Sequence, residues 1–259
     1  MDEALAKQEF IARARVDANE VGHLHNEALR ATYQRLHAVR RASPQGVLTK
    51  MAIAHTIADS CSDFLGSRNL DTAACEVARS RLVNKARGGL QSVSEGELTP
   101  IPLATGTPSD YEDAFEAVVA AEDNSTDWIA GFNAVESEAL SVLTDSADVT
   151  IIIATVAVGD SSAVYCEGEF DDWYSLGLPD CEAPDPHPAC AGPPEGPQRS
   201  WGGFLEGLRN SLAADCLGGL AGGLGAKAIS MALPGIREAA LAAGVAASVY
   251  QAGQELMTL

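Results

Sequence analysis

The chain has 259 residues, enough for one large domain or two small ones, and 46% of them are apolar, which excludes wholesale disorder. Its formal net charge of −19 is laid out in blocks: residues 1–87 hold 13 basic and 10 acidic residues, residues 88–198 hold 22 acidic residues and no Lys or Arg, and residues 199–259 hold four of each sign. An acid-only block repels phosphates and anionic headgroups, so nucleic acid is excluded as a partner, while Ca²⁺, a basic protein or the basic N-terminal helix of a neighbouring copy remain suited to it. The plain alternative is a solvated face that aids solubility.

Residues 2–42 read as one long helix, because Val21, Leu24, Ala28, Leu29, Leu36 and Val39 recur near helical spacing with Arg30, Arg35 and Arg40 off that stripe. Ser43-Pro44-Gln45-Gly46 stops it. A second helix covers residues 47–65, with Met51, Ala54, Ile57 and Ala58 on one side and Gly66 as its cap. A third runs from an N-cap at Asp71 to Ala86 and is ended by Gly88-Gly89. Residues 90–107 are a Ser/Thr/Pro/Gly loop. Ser109-x-x-Glu112 has capping-box spacing and opens a helix to about Glu122.

Another helix starts at Thr126 or Asp127 and continues through Trp128, Phe132, Val135 and Leu143. Over residues 146–175 two tendencies compete. The run Val149-Thr150-Ile151-Ile152-Ile153 favours a strand, whereas the length and the lack of strand partners favour a buried helix, which is the reading adopted. Seven of the twelve prolines fall in residues 177–200, an extended linker or wrapped loop. Beyond it, residues 201–213, 214–232 and 236–256 read as short helices broken at Leu233-Pro234-Gly235. The organisation expected is therefore a helical domain over 1–176, a Pro-rich segment over 177–200 and a glycine-rich helical region over 201–259, packed on or beside the first. The fold class is all-α, a multi-helix bundle.

The chemistry-bearing patterns are sparse. Glu20-x-x-His23, with Glu27 following, has the i, i+3 ligand spacing of di-iron bundles, but no second Glu-x-x-His occurs to complete such a site. The plain reading is a polar helix segment whose His25 and Asn26 hydrogen-bond to a neighbouring helix. Cys181, His187 and Cys190 offer thiolate and imidazole ligands without an evident fourth, so a Cys181–Cys190 disulfide, free thiols and a metal all stand as readings. Asp123–Asp127 fails the calcium-loop pattern, since Trp128 replaces the required glycine. No G-x-S-x-G elbow, P-loop or Rossmann fingerprint is present. No catalytic residue and no cofactor are expected.

The glycine rows at the C-terminal end are the most distinctive feature. Gly218 and Gly222, Gly219 and Gly223, and the extension to Gly225 leave a smooth strip against which another helix can lie closely. Each interior glycine costs roughly 1 kcal/mol relative to alanine, so tight packing has to compensate. Asp215 and Lys227, then Arg237-Glu238, interrupt the apolar stretches, which makes a single spanning helix there unsuited to a bilayer.

Three pieces, Val21-Gly22-x-x-His25-Asn26-x-x-Leu29, Val158-Gly159-Asp160-Ser161-Ser162-x-x-Tyr165 and Asp215-x-x-x-Gly219-x-x-x-Gly223, together resemble a group of small uncharacterised bacterial proteins, some exported, with a V-G-x-x-H-N helix near the start and a glycine-zipper tail. The resemblance implies a shared architecture and no activity, and it makes His25 and Asn26 a buried pair that fixes helix register. The compartment expected is exported or cell-surface if a leader was removed, because Met1-Asp2-Glu3 opens an acidic helix and not a signal peptide, and cytoplasmic otherwise. The leading expectation is a non-catalytic structural or interaction protein, self-associating into a homo-oligomer through close-packed helices and opposite charge patches. The alternatives are a membrane-active protein that inserts its glycine-rich hairpin and a metal-dependent enzyme using Glu20, His23, Glu27 or His55.

Overall fold

A computed structural model describes residues 3–87, 108–121, 124–177 and 201–257, and among them every regular element is helical. The order is α1 (Glu3–Ala42), α2 (Lys50–Gly66), α3 (Ala73–Ala86), a 3₁₀ turn (Pro108–Tyr111), α4 (Glu112–Ala121), α5 (Ser125–Val142), α6 (Ser146–Gly177), α7 (Trp201–Ala228) and α8 (Leu233–Leu256). The expected all-α bundle is what the chain forms.

Local chemistry sets most of the ends. Thr49 caps α2 by accepting from the Ala52 amide at 3.1 Å, and Asn124 caps α5 by accepting from Asp127 at 3.0 Å. The start of α5 therefore lies one or two residues before the expected Thr126 or Asp127. The Asp145 carboxylate accepts from the amides of Ala147 and Asp148 and so opens α6. Thr72, not Asp71, is the N-cap of α3, although Asp71 still accepts from Ala73 at 2.9 Å. Gly66 is the last helical residue of α2 and not its cap; the reversal comes at Asn69, whose φ of 58° turns the chain while Leu70 donates back to the Leu65 carbonyl. The capping-box pattern at 109–112 ends as the 3₁₀ turn that leads into α4.

Two sequence expectations on helix continuity need correction. Residues 201–228 form one helix, not two, because α7 packs against α8, α6 and α4 and this packing outweighs the glycine penalty. Pro234 does not break a helix: it sits in the first turn of α8, where the missing amide would be unpaired anyway. The break between α7 and α8 falls at 229–232, where Ser230 adopts a φ of 59° and Met231 donates to Ala226.

α6 is the hub. It packs against α1, α5, α7 and α8, and its β-branched run, which locally favours a strand, is buried as helix. It is also the one described helix long and apolar enough to cross a bilayer, and most of that stretch is covered by other helices. One apolar cluster joins the first half of α1 to α4, α5, the first half of α6 and α7, around Trp128, Phe115 and Phe132. A second joins the rest of α1 to α2, α3, the end of α6 and α8, around Leu36, Ile57, Leu65 and Leu82. α7 thus belongs to the first cluster, and α8 enters both, with Ile236 in the first and Leu241 to Leu256 in the second. A disulfide between Cys61 and Cys75, with Cα atoms 5.9 Å apart, ties α2 to α3.

Candidate functional site

Where the two apolar clusters meet, four helices bring polar side chains into a dry centre. His25 and Asn26 come from α1, Ser161 and Ser162 from α6, Asp215 from α7 and Ser248 from α8. His25, Ser162, Asp215 and Ser248 are all fully or almost fully buried. The approach is set by Gly22, one turn before His25: a Cβ there would run into Ser161 and the backbone of Ala157 on α6. With the helices this close, Asn26 Nδ2 donates to the Ser161 carbonyl at 2.8 Å. The Asn26 amide oxygen then faces His25 Nδ1 at 3.2 Å, and His25 Nε2 meets Ser248 Oγ at 2.7 Å. Ser248 and Ser162 each bond one oxygen of Asp215, and the carboxylate also stands 3.8 Å from His25 Nε2.

The hydrogen-bond roles follow from counting donors. Asn26 spends its NH₂ on Ser161, so its oxygen is an acceptor and His25 Nδ1 must carry a proton. Ser248 can also donate to the Gly244 carbonyl at 2.8 Å, and of the arrangements that satisfy the rest, two leave His25 and Asp215 with no net charge. Either Nε2 also carries a proton, donates to Ser248, and Ser248 donates to an ionised Asp215, or Asp215 carries that proton, donates to Ser248, and Ser248 donates to Nε2. Both place one shared proton between His25 and Asp215 and leave the pair with no net charge, which is what a dry interior requires. Burial pushes the Asp215 carboxyl above the usual carboxylate range, while His25 and the two serines pull it back.

Ser, His and Asp together invite comparison with a nucleophile–base–acid relay. Here the carboxylate stands on the serine side of the imidazole, the far nitrogen meets an amide oxygen, and no reactive atom reaches solvent. The arrangement pins four helices in register. Cys166 and Cys216 adjoin it; burial pushes the Cys166 thiol up to about 12 and the Cys216 thiol well above its ordinary value, so both remain neutral.

No family model, curated protein or solved structure matches this chain.

The other residues singled out in the sequence divide clearly. Gly218 and Gly222 face α8, where added Cβ atoms would collide with Ala243 and Ala247 or with Ala239 and Ala243. Gly219 and Gly223 face α6 at Thr155 and Ile151. Gly225 departs from the expectation of close packing: nothing lies within 4 Å of the place its Cβ would take, because it lies on the outward face of α7, one turn from exposed Ala221, while Leu224 and Ala226 beside it are buried. The metal set does not assemble. Glu20 and His23 are exposed, Glu27 pairs with Arg68 at 2.9 Å, and no group of three or more His, Cys, Asp or Glu able to hold an ion occurs among the described residues. His55 is exposed on α2. Glu20 instead lines a groove of about 360 Å³ between α1 and the start of α8, together with Val21, Leu24, Leu70, Arg237 and Glu238. Cys181, His187 and Cys190 lie outside the described residues.

Sequence reasoning missed Ser248, the Cys61–Cys75 bond and a seam formed by Arg15, Glu136 and Asp160. One signal was available: Asp215 is the single charged residue between Arg209 and Lys227 in an otherwise apolar, glycine-rich stretch. An isolated carboxylate in such a setting needs partners.

Proposed function

We propose that the protein is a non-catalytic structural or interaction protein that associates with copies of itself through opposite charge. The observation that carries the reading is the surface of the 3₁₀ turn, α4 and α5. These elements expose Asp113, Glu116, Asp127 and Glu138 and contain no Lys or Arg, whereas α1, α2 and the end of α3 expose Arg13, Arg41, Lys50 and Arg87 among acids such as Glu9, Glu20 and Glu76, with 13 basic to 10 acidic residues over 1–87. Like charges crowd on the acidic side: burial first, then Glu116 and Asp113, raise the Glu112 carboxyl. A second copy offering its basic helices would relieve that repulsion. The polar centre, buried among four helices, supports a structural role for the only Ser-His-Asp grouping described above. The glycine rows enter this reading differently from the sequence-based expectation, since they are occupied inside the subunit by α6 and α8 and leave charge as the associating element.

Light scattering coupled to gel filtration tests the proposal. Dimers or larger species at low salt that dissociate at high salt are the expected result. A monomer at every concentration in both salts would overturn it. A membrane role has α6 as its only long apolar helix among the described residues, and α6 already serves as the hub of the bundle.

A further inference from the structure

α5 is the outer layer of the bundle. It lies on α6, α4 and the 3₁₀ turn, and it reaches α1 only through long side chains. Lys7 Nζ donates to the carbonyls of Leu140 and Leu143 at 2.7 and 2.8 Å, and Arg15 Nε donates to Glu136 Oε1 at 2.9 Å. Glu136 is only 4% exposed, so Arg15 is its one neutralising charge. Across the α5–α6 seam stands Asp160, whose Oδ1 is buried and has no hydrogen-bond partner. Asn133 on α5 is the one group that favours its ionised form. On α7 the groups nearest this region are Cys216, a neutral thiol, and Asp215, already engaged by Ser162 and Ser248.

We propose that Glu136 and Asp160 form a pH-sensitive latch on α5: with Asp160 protonated, Glu136 is the one ionised carboxylate at the seam and Arg15 matches it, and with Asp160 ionised, a second buried carboxylate stands beside Glu136 with no cation added and α5 loosens from α6. This inference is independent of self-association.

Burial, then repulsion by Glu136, raises the Asp160 carboxyl to about 7. A folded-state value above the unfolded one means that the group's stabilising contribution is fully present below the ordinary carboxylate range and is lost as pH rises to about 7. The latch is therefore tight in acid and slack above neutrality. Loosening α5 uncovers Trp128 and Phe132, which are otherwise fully buried.

Hydrogen exchange of the full chain tests this. Once intrinsic rates are divided out, the opening of α5 amides should increase roughly 50- to 100-fold between about pH 5 and about pH 8, as expected for a single carboxyl that returns to its ordinary value on opening. Amides of α2 should show no comparable change. Asp160→Asn, an isostere of the protonated acid, should hold α5 at its acid-like protection at both pH values. Glu136→Gln should move the transition toward lower pH. Equal α5 protection of the wild-type protein at both pH values would overturn the latch without recourse to any variant, and so would an Asp160→Asn protein that kept the full pH dependence.

Discussion

Gly22 of α1 sits so close to α6 that a Cβ built on it would lie 2.5 Å from the carbonyl oxygen of Ala157. The obstacle is backbone, which cannot rotate away. Gly22→Ala should therefore push α1 off α6 and pull His25 and Asn26 out of reach of Ser248 and Ser161. The expected loss is about 1–3 kcal/mol, or more if the polar centre opens with it. Urea unfolding measures it, and an unchanged midpoint would show that α1 and α6 are farther apart than described.

The glycines of α7 make a graded series on one helix. Gly222→Ala should destabilise, since its Cβ would strike the Ala239 carbonyl and the Ala243 methyl. Gly219→Ala should be nearly neutral or mildly favourable, because its nearest neighbours would be at 3.8 Å. Gly225→Ala should stabilise by up to about 1 kcal/mol, the helix-propensity difference, with no contact to offset it. Thermal denaturation of the three variants should rank them 225, 219, 222 in falling midpoint. Any order that puts Gly222→Ala first contradicts the placement of α7 against α8.

Removing Asp215 should do more damage than its size suggests. Asp215→Ala would leave Ser162, Ser248 and His25 without their common partner in a dry centre, at a cost of about 3–5 kcal/mol. Because His25 and Asp215 meet on Ser248, Asp215→Ala combined with His25→Ala should cost clearly less than the sum of the two single changes. Additive losses in chemical denaturation would mean that the two side chains act separately.

Reducing the Cys61–Cys75 bond should lower stability by about 3 kcal/mol, the chain-entropy estimate for so short a loop. Peptide mapping without reductant should recover the two cysteines as one linked pair. Cys166 and Cys216, buried and neutral, should resist alkylation until the protein unfolds. Rapid labelling of either in the native protein would contradict their burial.

The helical class was legible because period and caps agreed along most of the chain, and because α6 offered a strand-like sequence with nothing to pair against. Exact ends were less legible. Asp71 and Thr72 are both good caps; the helix begins after Thr72, yet the side chain that accepts from its first amide is that of Asp71. The continuity of α7 could not be read from Gly218 to Gly225 alone, since glycine weakens an isolated helix and only the flanking α6 and α8 reverse the balance. His25 and Asn26 stood out through a short motif, whereas Ser248 looked like any serine among alanines. Its role depends on residues 223 positions away. Cys61 and Cys75 gave no sign of pairing because a spacing of 14 becomes a contact only once two helices fold back on each other.

Between Gly218 and Gly223, α7 lacks side chains on the faces it presents to α6 and α8, so that stretch resembles a polished rod in a sleeve. That stretch sets no polar register of its own, and the apolar side chains on either side of it, Leu212, Cys216, Leu220 and Leu224, carry no directional bond. Asp215 supplies the missing stop: only one axial setting puts its carboxylate between Ser162 and Ser248 with His25 within reach. A variant with that stop removed should keep its helix content yet lose the unique alignment of its last two helices, a state of many nearly equal registers in place of one.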